Sequence, residues 1–211
     1  GPYGGNVIEI KKHPNGNLYA LRNEGLYMSS DAGDNWNEVN QASVNSNLSM
    51  DISPSGVIYV GKSSGGIWWT SNLGQSWSFN PIHIAPHSGL WTSVIITKIN
   101  PSGYVFINSH VSFNGGQTFT QFTDNSIGVS SDYAFNGSNH VYSASYTGIF
   151  HSVNNGASWT NINGNLPSIN ATSIMFDKNI LITGINGSGV FKTSDNGTTW
   201  LAINNGLTDL N

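Results

Sequence analysis

Cysteine is absent. That excludes a disulfide framework and any thiolate metal site. Charge is scarce: seven Lys and Arg stand against eleven Asp and Glu, for a formal net charge of −4. A chain with no basic surplus has little with which to neutralise phosphates, so nucleic-acid binding is not expected. No block of like charge marks a solvated tail. No apolar run reaches the ~20 residues that a membrane-spanning helix needs, so membrane insertion is not expected. Convincing helical periodicity is missing as well. Asn, Ser, Thr and Gly make up for the charge, with 11% aromatic residues. The seven Trp and eight Tyr argue against disorder, and the mixture suits short strands joined by polar turns.

Five segments of one pattern recur along the chain. Each begins with Ser or Thr, carries Asp or Asn two residues later and Gly two after that, and ends three further on in an aromatic residue. The key residues are Asp31, Gly33 and Trp36; Asn72, Gly74 and Trp77; Asn114, Gly116 and Phe119; Asn154, Gly156 and Trp159; and Asp195, Gly197 and Trp200. The glycine steps are 41, 42, 40 and 41 residues. A period of about 40–45 residues is that of a four-stranded blade. Upstream of each segment lie alternating apolar pairs such as Leu18-Tyr19, Ile58-Tyr59 and Val141-Tyr142, bounded by turns such as Pro14-Asn15-Gly16. In the third repeat the distance from Phe106 to Gly116 is short, which predicts a tight hairpin between its second and third strands.

The repeated pattern resembles the Asp-box (BNR) repeat, and the resemblance covers nearly the whole chain. It implies an all-β fold: a β-propeller of four-stranded antiparallel blades, five in this chain. Residues 1–211 would form a single domain with blades at about 6–45, 46–86, 91–126, 127–168 and 169–209. In the first blade the strands are expected at about 6–13, 17–22, 26–30 and 35–40. Two arrangements stay open, a closed five-bladed ring and a piece of a larger propeller. Within each box the carboxylate or amide is expected to accept backbone N–H bonds. The glycine would take a positive φ, and the aromatic residue would open the fourth strand and bury its ring between sheets. These residues are read as structural, because in the family the boxes lie away from the catalytic face.

Propellers of this family include sialidases, xyloglucanase-like glycosidases, sortilin-type receptors and photosystem assembly factors, and fold alone does not choose among them. A sialidase grips the substrate carboxylate with an arginine cluster. Here Arg22 is the sole arginine, which argues against that activity. A glycosidase needs two facing carboxyl groups. Glu9 and Asp132 fall at equivalent places on the first strands of their blades, and Asp51 falls at the place of Lys11 and Lys98. These three are the catalytic candidates for a hydrolase. The alternative is that they hydrate a polar channel.

No cofactor is implied. His83 and His87 flank Pro86 in a loop and lack the spacing of a helical zinc motif, and His13, His110, His140 and His151 fall on different strands, so no metal site is expected. The candidate ligand-binding residues are Trp69, His83, His87, Trp91 and His151. Trp69 occupies a position where other blades carry Met28, Val111, His151 and Lys192, a variety that points to a solvent-side or groove position. The segment from Pro81 to Trp91 adds two imidazoles and an indole; the alternative is that it packs over the second blade and shields Trp69.

The leading expectation is a non-catalytic binding or adhesion module of an exported bacterial protein, secreted or at the cell surface, with a closed ring and a piece of a larger protein both left open. It would recognise a glycan or a protein partner. The alternatives are a glycosidase-like hydrolase acting on a polysaccharide and a protein-assembly scaffold.

Overall fold

The computed structural model describes residues 6–39, 47–63, 66–81, 96–123, 125–137 and 139–208. It contains five four-stranded antiparallel sheets, each a meander whose strands, A to D, follow chain order. The first holds Val7–Lys12, Leu18–Arg22, Gly25–Ser29 and Asn37–Val39. The second holds Asn47–Ile52, Ile58–Lys62, Ile67–Thr70 and Ser78–Asn80. The third holds Thr97–Ile99, Val105–Ile107, His110–Ser112 and Thr120–Gln121. The fourth holds Ser130–Asn136, His140–Ser145, Gly148–Ser152 and Thr160–Asn161. The fifth holds Ala171–Asp177, Ile180–Ile185, Gly189–Thr193 and Leu201–Ala202. Helical structure among the described residues is limited to a 3₁₀ turn at Asn125–Ile127, and no helix there is long and apolar enough to cross a membrane. In the third sheet only Asn108 and Ser109 separate strands B and C, as its short spacing predicts.

The chain divides into two compact units. One comprises Gly1–Ile107 with Ser112–Phe119, the other Asn108–Val111 with Thr120–Asn211. In the first unit, Tyr19, Leu21, Leu26, Met50, Ile58 and Val60 pack together between successive sheets, and Tyr59, Ile67, Val105 and Ile107 form a second cluster. In the second unit the core gathers Tyr142, Ile149, Ile174, Leu181, Phe191 and Trp200. Strand B is buried along almost its whole length in the second and fourth sheets. It is covered on both faces, as the middle of a layered stack requires.

The repeated corners share one hydrogen-bond pattern. The hydroxyl that opens each corner accepts the N–H of the glycine four residues on. The distances are 2.9 Å for Ser29–Gly33, 3.0 Å for Thr70–Gly74, 2.8 Å for Ser112–Gly116 and Ser152–Gly156, and 3.1 Å for Thr193–Gly197. The Asp or Asn oxygen accepts both that hydroxyl proton and a backbone N–H four residues ahead, as when Asp31 takes Ser29 Oγ at 2.7 Å and Asn35 N at 2.9 Å. Asn72, Asn114, Asn154 and Asp195 repeat the backbone bond at 2.9–3.0 Å. Two consecutive residues have positive φ in every corner, for example Ala32 at 61° with Gly33 at 103°, and Asn196 at 54° with Gly197 at 82°. In the second, fourth and fifth corners the second of these residues must be glycine for a steric reason too. A Cβ on Gly74 would sit 2.1 Å from Val39 Cγ1, and one on Gly156 would sit 2.8 Å from the Phe122 ring. The corner glycines of the second, fourth and fifth sheets therefore pack against the end of the preceding sheet's strand D, at Val39, Phe122 and Ile162.

The corner aromatics depart from expectation in two respects. They precede strand D instead of opening it, and only Trp200 is fully buried; Trp36, Trp77, Phe119 and Trp159 are half-buried. The indole N–H explains the difference. In Trp36 and Trp159 it bonds back to the carbonyl of the corner's own glycine, at 3.0 Å each, which holds the ring over its corner. The Trp200 indole instead donates to the Ile162 carbonyl of the preceding sheet at 2.9 Å.

Candidate functional site

The strand register confirms the equivalences among the acids. Glu9 pairs with Leu21 and Asp132 with Ala144, each just after a β-bulge in strand A, while Asp51, Lys11 and Lys98 pair with Tyr59, Tyr19 and Phe106. A glycosidase pair would have its oxygens open to substrate. Instead, each carboxylate accepts the backbone N–H of strand A in the next sheet. Glu9 Oε2 takes Met50 N, Asp51 Oδ2 takes Ile99 N at 2.9 Å, and Asp132 Oδ2 takes Ile174 N at 3.1 Å. In each case the donor lies one register position further along than the acid.

In the first unit Lys11 Nζ sits between two of these acids, 3.1 Å from Asp51 Oδ1 and 3.9 Å from Glu9 Oε1. Burial pushes the Glu9 carboxyl above its usual range and nearby Asp51 adds to this; the Met50 N–H, Lys11 and Lys98 oppose it. A sugar seated between Glu9 and Asp51 would have to displace the lysine.

Trp69 lies against Tyr59, Ile67, Val105 and Ile107, half-buried in the second core cluster of the first unit, and it pairs across strands with Tyr59. The groove expected for this position is replaced by packing. The position faces the neighbouring sheet, so its variety reflects what each sheet packs against: Met28 joins the first cluster, whereas Lys192 is exposed. Trp68 is half-buried and packs at a tilt against Phe79 with centroids 4.8 Å apart. His83, His87 and Trp91 lie outside the described residues.

His151, the fifth ligand candidate, holds the register position of Trp69 but has other surroundings. It pairs with Tyr142 across strands B and C of the fourth sheet, and their rings stack at 4.4 Å and 8°. Phe176 lies parallel to the other ring of the pair, 5.6 Å from Tyr142. His140 stacks on His151 at 5.2 Å, and its Nδ1 lies 3.0 Å from His151 Nε2. On the other side, His151 Nδ1 receives the amide of Asn196 at 3.1 Å, from the corner of the fifth sheet. Burial, and secondarily His140, hold the His151 imidazole below its ordinary pKa, which favours its neutral form.

These rings border a cleft of about 250 Å³ within the second unit, also lined by Asn136, Asn179, Leu181, Thr193 and Ser194. Its walls are the turns between strands A and B and the C–D corner of the fifth sheet, so the cleft opens on the corner side of these sheets. His140 is the participant that spacing alone did not pick out. Counting back from the two-residue Tyr146-Thr147 hairpin sets His151 opposite Tyr142, which makes His140 its diagonal neighbour on the same face. His13 has a structural post: its Nδ1 accepts Asn15 N at 3.1 Å and its Nε2 meets the Gly56 carbonyl at 2.9 Å. Among the described residues no group of three or more His, Asp or Glu side chains gathers in a metal-holding arrangement.

No protein-family model and no curated protein sequence matches the chain. Solved structures do resemble it. A GH74 enzyme of Niastella koreensis superposes with a TM-score of 0.68 at 15% identity, over 93% of this chain but 30% of its own length. Virginiamycin B lyase of Staphylococcus aureus gives 0.72 at 14% identity, over 93% of this chain and 70% of the lyase. YCF48 bound to D1 peptide gives 0.69 at 15% identity, over 99% of this chain and 70% of YCF48. This chain thus spans under a third of the length of the Niastella enzyme. At such identities the likeness speaks to fold and not to activity. Together with the five four-stranded meanders, it shows that the chain is an all-β protein of the β-propeller class.

Proposed function

We propose that this chain is a non-catalytic binding propeller, a module of an exported bacterial protein that recognises a glycan or a protein partner. Its corners are read as Asp boxes of the BNR repeat. The observation that carries the reading is the use made of the three acids: Glu9, Asp51 and Asp132 each hold a backbone N–H of the next sheet. An acid committed to such a bond is poorly placed to shuttle protons to a glycosidic oxygen. YCF48, with its D1 peptide, is a precedent for a propeller of this shape meeting a peptide.

One observation favours the hydrolase reading. Glu9 has a raised pKa beside a second acid, which is how a general acid is prepared. Incubating the chain with plant and host polysaccharides and measuring reducing ends decides between the two. The binding reading expects no release above background together with saturable retention on a glycan or peptide array. Turnover that disappears in Glu9→Gln would overturn it.

A further inference from the structure

We infer that the His140–His151 cleft is a sugar-binding site that takes one neutral monosaccharide residue of a larger glycan. The inference rests on the binding reading above and names its ligand and its place.

The hydrogen-bond directions are set by chemistry. The amide nitrogen of Asn196 can only donate, so His151 Nδ1 accepts and its proton sits on Nε2. That proton is given to His140 Nδ1, and His140 in turn carries its own proton on Nε2. The relay therefore ends in an oriented N–H on a residue that lines the cleft. It requires both rings neutral, and the burial of His151 favours that state.

The walls then restrict the ligand. None of the ten lining residues is Asp, Glu, Lys or Arg, so an acidic sugar or a charged side chain would be desolvated without a counter-charge. Eight of the ten carry a polar side chain, three of them primary amides. An amide both donates and accepts, which matches a hydroxyl, and a pyranose is dense in hydroxyls where a peptide residue offers two polar backbone groups. The two apolar walls, Phe176 and Leu181, give the ligand's C–H surface something to cover. At about 250 Å³ the space falls just below the ~300–1,000 Å³ of drug-sized sites, and it suits one ring, not an oligosaccharide.

The test is saturation-transfer NMR on the whole chain with the methyl glycosides of glucose, galactose, mannose, xylose and N-acetylglucosamine. Blocked dipeptides serve as the competing ligand class. The His140 and His151 ring signals report on the cleft. At least one glycoside is expected to saturate and to shift both rings at pH 7.5. Ser194→Trp, which fills the exposed rim, and His140→Ala, which removes the terminal donor, should each weaken binding by about tenfold or more while thermal unfolding stays cooperative. Glycoside binding that survives both variants would place the site elsewhere and leave the binding reading intact. Saturation by dipeptides alone would overturn the sugar assignment, and no saturation by either class would overturn the site. Hydrolysis of any glycoside would instead strike at the binding reading.

Discussion

A Cβ added to Gly197 would lie 2.4 Å from the carbonyl oxygen of Ile162, the residue just past strand D of the preceding sheet. The same approach joins Gly74 to Val39 and Gly156 to Phe122, and at Gly116 the Asn80 amide bonds the glycine carbonyl at 3.1 Å. The corner glycines are thus seams between sheets as well as turns within them. Gly197→Ala combines a positive φ with a backbone clash and is expected to cost about 3 kcal/mol or more. Gly16→Ala, at φ 98° with nothing within 4 Å of the new atom, carries only the conformational penalty, expected at about 1–2 kcal/mol. Urea unfolding of the two variants checks the ranking.

The inner-strand acids should respond to shape before charge. Asp132→Asn keeps an oxygen for Ile174 N and is expected to retain most of the stability. Asp132→Ala leaves that N–H without its acceptor, at about 1–3 kcal/mol. Glu9 carries a sign as well. Its pKa in the fold lies above the ordinary 4.5, so the stability tied to its protonated form is present below 4.5 and lost as pH rises through the folded value. Glu9→Gln should therefore flatten the decline in unfolding temperature over that window and match or exceed the parent at pH 7.

Acid should act on two corners out of five. Hydrogen bonds from Asn35 and Ser29 lower the Asp31 carboxyl to about 2, and Thr193 and Thr199 lower that of Asp195. Both are exposed, so they report best as titrations. For a lowered acid, the contribution is present above the ordinary 3.8 and disappears as pH falls through the folded value. NMR should find Asp31 titrating near 2 and its corner's amide signals shifting with it. Asn72, Asn114 and Asn154 make the same bonds with amides, and their corners should show no such step.

His151 titrates in the opposite chemical sense, with the same direction of loss. Its pKa lies below the ordinary 6.5, so its neutral form stabilises the fold above that pH and the contribution is lost as pH falls through the folded value. Protonation would also place an N–H on His151 Nδ1 and set it against the Asn196 amide N–H across their 3.1 Å contact. Following the His151 ring C–H shifts between pH 8 and pH 4 should show them moving at lower pH than those of a free imidazole added as reference. His151→Phe should remove the pH dependence and keep the stack on Tyr142.

How much of this was legible from residues alone depends on the range of each interaction. The corners repeat within eight residues, so Asp31, Gly33 and their counterparts declared the turn chemistry and the blade period directly. The equivalence of Glu9 with Asp132 followed from counting along strands, and the register bears it out. What those acids do was hidden, because their partners Met50 and Ile174 lie 41 and 42 residues away in another sheet. Trp69 was read as groove-facing because its position is variable, yet variability there tracks the packing of successive sheets. The Asn196–His151–His140 relay joins two sheets over 45 residues, and no local pattern encodes it.

Backbone amide exchange at Met50, Ile99 and Ile174 bears on the inner acids most directly. The expected result is that Glu9→Ala, Asp51→Ala and Asp132→Ala each speed exchange at the partner amide alone by about tenfold or more, since one N–H···carboxylate bond is worth ~1.5–3 kcal/mol. Unchanged exchange at all three amides would show that the carboxylates are free for other chemistry.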